Sequence, residues 1–378
     1  MENQDPKVGK RLNWRKVNWR FVGVLVTVAV VVFVASDWII GSIIHSIELR
    51  QLVIRPLDEG IIYDGLVYNL KDDISVLVKP HYSYLNGAPV AQSAGTEQPI
   101  AVVVENYTPI REQQAGIEQA SLVYEALAEG GITRLLAIYD GASVDLIGPI
   151  RSARPYFVTW ASELRAAFAH VGGSNEALGD LRSNFRILNV DEFADFKTIW
   201  RDNDYLAPHN AYSSTEKIQA RMEKDEYKHP LTVARFPFKD ADSTSGDIKT
   251  ITIDFSLEPY AVKYVFDPIA KAYERFNGGK KHHEIKPTNV VIQFVDIEVL
   301  DDIGRLWIQT SGTGKALVFR DGTVIEGTWA KDCSINSNDQ PLSSCFTKFF
   351  DKDDKEIALN RGQTWIEVVP NGRAVNYF

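Results

Sequence analysis

Arg151, Ser152 and Arg154 stand in the stretch "DLIGPIRSARPYFVTW", where an apolar segment hands over to a helix that Pro155 suits at its first turn. Free backbone N–H groups and the positive end of the helix dipole favour an anion at such a mouth, and two guanidinium forks turn that preference into a phosphate or carboxylate clamp. Ser152 would add a hydrogen bond. Arg134 follows the glycine turn in "AEGGITR" and is expected to reach the same anion. The same forks could instead pair with the domain's own acids, Glu125 and Glu129.

Glu118, Glu125 and Glu129 are spaced by seven and four residues, which on a helix puts them on one face. Glu125 and Glu129 are thereby candidates for a general base or a metal ligand in an enzyme reading. His170 in "AHVGGSNEA", and His209 with Asn210 in "APHNAYSS", sit beside turn formers and are expected to line the pocket. No catalytic triad is specified. "GTGKA" at 312–316 lacks the length and the Ser/Thr of a phosphate-binding loop, and no cofactor is called for. Cys333 and Cys345, the only cysteines, have no CxxC spacing and no neighbouring histidine, so the pair reads as a disulfide closing a loop and not as a metal site.

The elements that must position these residues follow from hydrophobic periodicity. "IAVVVEN" is a buried-strand run, and in "GIEQASLVYEALAEGG" Ala120, Val123, Tyr124 and Leu127 form a helical stripe that Gly130 and Gly131 stop. "TRLLAIYDG" and "SVDLIGPI" read as strands. Phe157, Trp160, Ala161, Leu164 and Phe168 mark the apolar face of a second helix, and "AAFAHVGG" ends it or forms another strand. "SSTEKIQARM" reads as a helix whose Ser213 and Glu216 have capping-box spacing. The expectation is an α/β domain with a mixed sheet over 97–235. From 248 to 378, short Val-, Ile-, Phe- and Trp-rich runs separated by Gly, Asn and Asp turns predict a β-rich C-terminal domain, with Asp321-Gly322 at a hairpin turn.

At the other end, basic residues in 1–20 precede an apolar stretch from Phe21 to about Ile44, the length of a single transmembrane helix. The charge bias predicts a cytoplasmic N-terminus and an extracytoplasmic bulk, joined through juxtamembrane strands and a linker over 45–96. "VAS" at 34–36 leaves a cleaved signal peptide as the alternative. The chain has 378 residues, is 45% hydrophobic and 24% charged, and carries a formal charge of −9, which argues against a nucleic-acid partner. The expected partners are the membrane, through the N-terminal helix, and a cell-wall precursor or a cell-wall enzyme.

"PIAVVVEN", "VYEALAEGGITRLLAIY", "IGPIRSARPYF", "HVGGS" and "PHN", then "VVIQFVD", "GTGKALVFRDGTVIEGTW" and "GQTWIEVVP", resemble the YerB-like bacterial lipoprotein family, a domain of unknown function (number 3048) with N- and C-terminal parts. The resemblance runs over roughly residues 97–378 and implies a bacterial, exported, membrane-tethered protein. Family members commonly begin with a lipobox cysteine. Here no cysteine precedes Cys333, so the apolar helix would replace lipid as the tether. In arrangement alone, the chain is similar to the LytR-CpsA-Psr phosphotransferases. Three functions are therefore expected in order: an envelope protein binding an anionic group on a wall precursor, glycan or partner; an enzyme of phosphoryl transfer or glycan cleavage; and a scaffold activating another wall enzyme.

Overall fold

The computed structural model describes residues 56–57, 60–63, 66–68, 81–90, 98–184, 186–228, 236–332 and 345–378. The chain divides into two compact units, Met1–Val78 and Lys79–Phe378. In the first, Pro56–Leu57, Gly60–Tyr63 and Leu66–Tyr68 form a small antiparallel sheet. The expected membrane span at 21–44 lies outside the described residues, among which no helix is long and apolar enough to cross a membrane.

The second unit is built on one ten-stranded mixed sheet. Its N-terminal half comprises Ile100–Glu105 (β1), Leu122–Leu127 (β2), Thr133–Tyr139 (β3), Ala167–His170 (β4) and Leu188–Asp191 (β5). Thr250–Ile253 (β6), Val262–Asp267 (β7), Ala272–Asn277 (β8) and Lys280–Lys281 (β9) belong, with Val375–Tyr377 (β15), to a second, five-stranded sheet in the order β9-β8-β7-β6-β15, antiparallel throughout. Asn289–Val295 (β10), Gly312–Arg320 (β11), Thr323–Lys331 (β12), Lys348–Asp351 (β13) and Thr364–Pro370 (β14) return to the large sheet. Its order is β5-β4-β1-β3-β2-β14-β10-β11-β12-β13.

The α/β and β-rich regions are both present, and they share this sheet: β14 lies between β2 and β10, parallel to both. Among the described residues α-helices occur only in the first region: Pro155–Glu163 (α1), Asn175–Ser183 (α2) and Thr215–Lys224 (α3). Phe157, Trp160 and Ala161 of α1 and Ala177 and Leu181 of α2 pack with Val103, Leu136 and Ile366 on one face of the sheet. On the other face, Ile218 and Met222 of α3 and Ile251, Val262 and Tyr264 of the five-stranded sheet pack with Val104, Val123 and Trp365. The large sheet is thus covered on both sides, and its central strands are continuous apolar runs for that reason.

That burial corrects one expectation. The predicted helix over 116–131 is instead a short 3-10 turn at Ile117–Gln119 followed by β2, every residue of which is buried. A strand covered on both faces shows no alternation, so the Ala120/Val123/Tyr124/Leu127 spacing coincides with a helical stripe without forming one. Glu118, Glu125 and Glu129 therefore share no helix face. Likewise "SVDLIGPI" is not a strand but a loop stitched down by isolated bridges, Ala115 to Gly148, Ile147 to Ser213 and Val104 to Ile150. "AAFAHVGG" supplies β4. The α3 cap is Ser214, whose hydroxyl accepts the Lys217 N–H at 3.2 Å, while Ser213 Oγ donates to the Thr198 carbonyl. Asp321, at φ 54°, and Gly322 turn the β11–β12 hairpin as expected. Cys333 lies outside the described residues; among those described there is no free cysteine, Cys345 included.

Candidate functional site

Two polar clusters lie on opposite faces of the large sheet. Glu125 of β2 belongs to the inner one. It faces the five-stranded sheet with no exposure, ion-paired to the Arg275 guanidinium of β8 and accepting from Thr133 Oγ1 at 2.6 Å and Asn106 Nδ2 at 3.2 Å. Glu367 of β14 is its register partner across the β2–β14 pair, and the Tyr264 hydroxyl bonds it. Burial first, and then the neighbouring Glu125 charge, raise the Glu367 carboxyl well above its ordinary value. His282 has its Nδ1 against Arg275 and its Nε2 2.6 Å from Gln114 Oε1; burial and the Arg275 charge push it well below its ordinary value. Arg275 also lies over the Trp365 ring, 4.4 Å from its centroid. This network is sealed from solvent and ties β2, β8 and β14 together. Glu125, expected as a base or metal ligand, is here a counter-ion for a buried arginine.

The outer cluster forms on the helix-covered face, at the carboxyl ends of β1 and β4, where open α/β sheets place their ligands. Alternation along the strands sends Glu105 of β1 and Arg134 of β3, directly opposed in register, to this face. Arg151 and Arg154 arrive on the segment that leads into α1, held by Arg151 N–H donating to the Val103 carbonyl and by the Ala153–Gly173 bridge. Arg154 is the α1 N-cap and provides no side-chain cap, with Pro155 following. The helix mouth predicted from the sequence is therefore present.

Within this cluster Arg154 grips Glu129 with two nitrogens, Nη2 to Oε2 at 2.8 Å and Nε to Oε1. Arg134 Nη2 stands 3.7 Å from the same carboxylate. Arg151 Nε is 3.3 Å from Glu105 Oε1, an ion pair without a hydrogen bond, and its Nη1 donates to the Pro208 carbonyl at 3.0 Å. His209 Nδ1 takes the other oxygen, Glu105 Oε2, at 2.8 Å, and the ring stacks on Tyr107 at 5.6 Å. Burial opposes the ionised form of Glu129, but the Arg154 hydrogen bond and the Arg134 and Arg154 charges outweigh it and hold its carboxyl below the ordinary range. Arg134 is lowered to about 10, by burial and then by the Arg154 charge. Among the described residues, the buried Arg134 Nη1 and Arg151 Nε have no hydrogen-bond partner.

The remaining expected residues fall around this core. Ser152 is partly buried on the same segment, and its hydroxyl makes no hydrogen bond among the described residues. His170 ends β4 fully buried, with Nδ1 2.7 Å from the Gly172 carbonyl oxygen and Nε2 2.7 Å from Asn189 Oδ1; it braces the Gly172-Gly173 turn beside Ala153 and does not face open space. Asn210 braces the 202–210 loop, accepting from Arg201 Nη1 at 2.9 Å and donating to the Asp202 carbonyl at 2.9 Å. Sequence reasoning missed Glu105 and Tyr107. The signal was their place: the residues just where the apolar run "IAVVV" ends are those at the carboxyl end of a buried strand. Among the described residues no group of three His, Cys, Asp or Glu side chains is arranged to hold a metal ion.

Residues 85–228 match the N-terminal domain, and residues 251–366 the C-terminal domain, of the protein family of unknown function DUF3048. The chain is 31% identical over 311 residues to the Bacillus subtilis protein named "Putative lipoprotein YerB", covering 80% of this chain and 90% of that protein. A crystal structure of the YerB protein from Bacillus subtilis is similar, with a TM-score of 0.68 and 29% identity, over 78% of this chain and 99% of that one.

Proposed function

The chain belongs to the DUF3048 family, and from that premise we propose that it is an extracytoplasmic envelope protein whose outer arginine cluster binds an anionic group. The name of the Bacillus subtilis relative supports the location, and the basic 1–20 segment followed by the apolar 21–44 stretch supports a single-pass tether in place of a lipid. A cell-wall precursor, an anionic glycan or a wall enzyme carrying such a group is the partner expected there.

One observation carries the binding reading. Among the described residues three guanidinium groups, Arg134, Arg151 and Arg154, meet two carboxylates, Glu105 and Glu129, and two of their buried N–H groups make no hydrogen bond. Purely internal pairing would satisfy those donors, because a buried unpaired donor costs about 1–3 kcal/mol. One positive charge is left over, which favours a singly charged ligand. The α1 mouth adds its dipole and uncapped N–H groups.

The test is binding of dibutyl phosphate, a soluble monoanion, measured beside thermal melting for the wild type, Arg151→Ala, Arg154→Ala and Arg154→Lys. Each alanine variant is expected to weaken binding by about 10- to 100-fold, the equivalent of one charge-assisted contact, while melting falls little for Arg151→Ala and further for Arg154→Ala, which strands Glu129. The lysine variant should rescue poorly, since an ammonium cannot replace the fork on Glu129 and the ligand together. Loss of melting temperature with no binding by the wild type would reverse the reading and favour a scaffold whose arginines are internal ties.

A further inference from the structure

We propose that Glu105 and His209 form a general-base dyad that hydrolyses a phosphodiester held on the arginine cluster; the proposal rests on the anion-site reading above. Glu105 Oε2 lies 2.8 Å from His209 Nδ1. An ionised carboxylate only accepts, so Nδ1 carries the proton and Nε2 presents its lone pair. Nε2 has no partner among the described residues, and the His209 side chain keeps 26% of its surface exposed while Glu105 keeps 6%. A buried carboxylate behind a half-open imidazole is the arrangement that orients a base and stabilises the imidazolium it becomes.

The ring is also fixed in place. It stacks on Tyr107 at an interplanar angle of 19°, its backbone N–H donates to the Leu206 carbonyl, and the preceding Pro208 carbonyl accepts from Arg151. Arg151 thus touches both the base's carboxylate and the base's loop, which places the dyad beside the anion it would act on. The single spare positive charge matches the one negative charge of a phosphodiester, where a monoester would bring up to two.

In the reaction a water oxygen forms a bond to phosphorus while the bond from phosphorus to one ester oxygen breaks. The water proton passes to His209 Nε2 and is then returned to the departing alkoxide, giving an alcohol, a phosphomonoester and a neutral imidazole. No electrons are exchanged. His209 is the catalytic residue, and Glu105 is a positioning residue.

The experiment follows hydrolysis of bis(p-nitrophenyl) phosphate by the full chain, with dibutyl phosphate as a competing non-hydrolysed ligand. Wild type is expected to release nitrophenolate and dibutyl phosphate to inhibit it. His209→Gln should lower kcat by about 100-fold or more, the usual contribution of a general base, with KM unchanged. Glu105→Gln should lower kcat while KM falls, because the loss of a carboxylate leaves Arg151 with more charge for the anion, a split that a merely structural defect would not give. Equal turnover by wild type and His209→Gln, or wild type that binds dibutyl phosphate yet releases no nitrophenolate, overturns the dyad and leaves the anion site standing. Absence of dibutyl phosphate binding removes both.

Discussion

Arg275 sits with no exposure between Glu125, Glu367, Tyr264 and His282, and the protonation of that set has a signature in stability against pH. Glu367 is raised above its ordinary 4.5, so from pH 4.5 upward the folded chain keeps a proton that the unfolded chain has lost, and stability falls as pH rises. His282 is depressed below its ordinary 6.5, so below pH 6.5 the unfolded chain gains a proton that the folded one refuses, and stability falls as pH drops. Between 4.5 and 6.5 the two slopes oppose each other, each about 1.4 kcal/mol per pH unit for one whole proton. The Glu367→Gln variant, whose amide replaces the protonated acid, is expected to expose the His282 slope, with stability rising from pH 5 to 6.5 more steeply than in wild type. Urea unfolding across that range measures it; an unchanged slope would mean that Glu367 is ionised in the folded chain.

At the scale of elements, the helix mouth at α1 was legible because Pro, Arg and a turn are local signals, and they need no knowledge of what packs above them. β2 was not legible, because its character depends on β14, which arrives from more than two hundred residues downstream and converts a half-polar segment into a wholly buried one. Glu125 made the stretch look amphipathic only because its partner, Arg275, lies 150 residues further along the chain. The same long-range pairing shapes the far edge of the sheet. Gly327 of β12 has no room for a side chain: a Cβ there would lie 1.9 Å from the Phe350 carbonyl oxygen of β13. Gly327→Ala is therefore expected to push β13 off the sheet and destabilise the fold by about 1–3 kcal/mol, the usual cost of overpacking. Hydrogen exchange should show lost protection at 348–351 first, and protection equal to wild type would show that the edge accommodates the methyl group.

Across the whole molecule, net charge and local charge point in opposite directions. A chain of charge −9 repels anions at long range, yet it concentrates Arg134, Arg151 and Arg154 at one end of its sheet. Such an island selects a ligand that can enter the cluster itself, since the surrounding field gives no general attraction. The shared sheet holds that island rigid, because β3, which carries Arg134, pairs on one side with β1, which carries Glu105, and on the other with β2, and β2 is locked to the C-terminal region by β14 and Arg275. The most direct measurement of the central claim is a titration of dibutyl phosphate into the full chain, followed by the arginine Nε–H resonances in proton–nitrogen NMR. The account predicts that the signals of Arg134, Arg151 and Arg154 shift together along one saturating isotherm while that of the sealed Arg275 stays fixed. Three unmoved outer arginines at saturating ligand would contradict it.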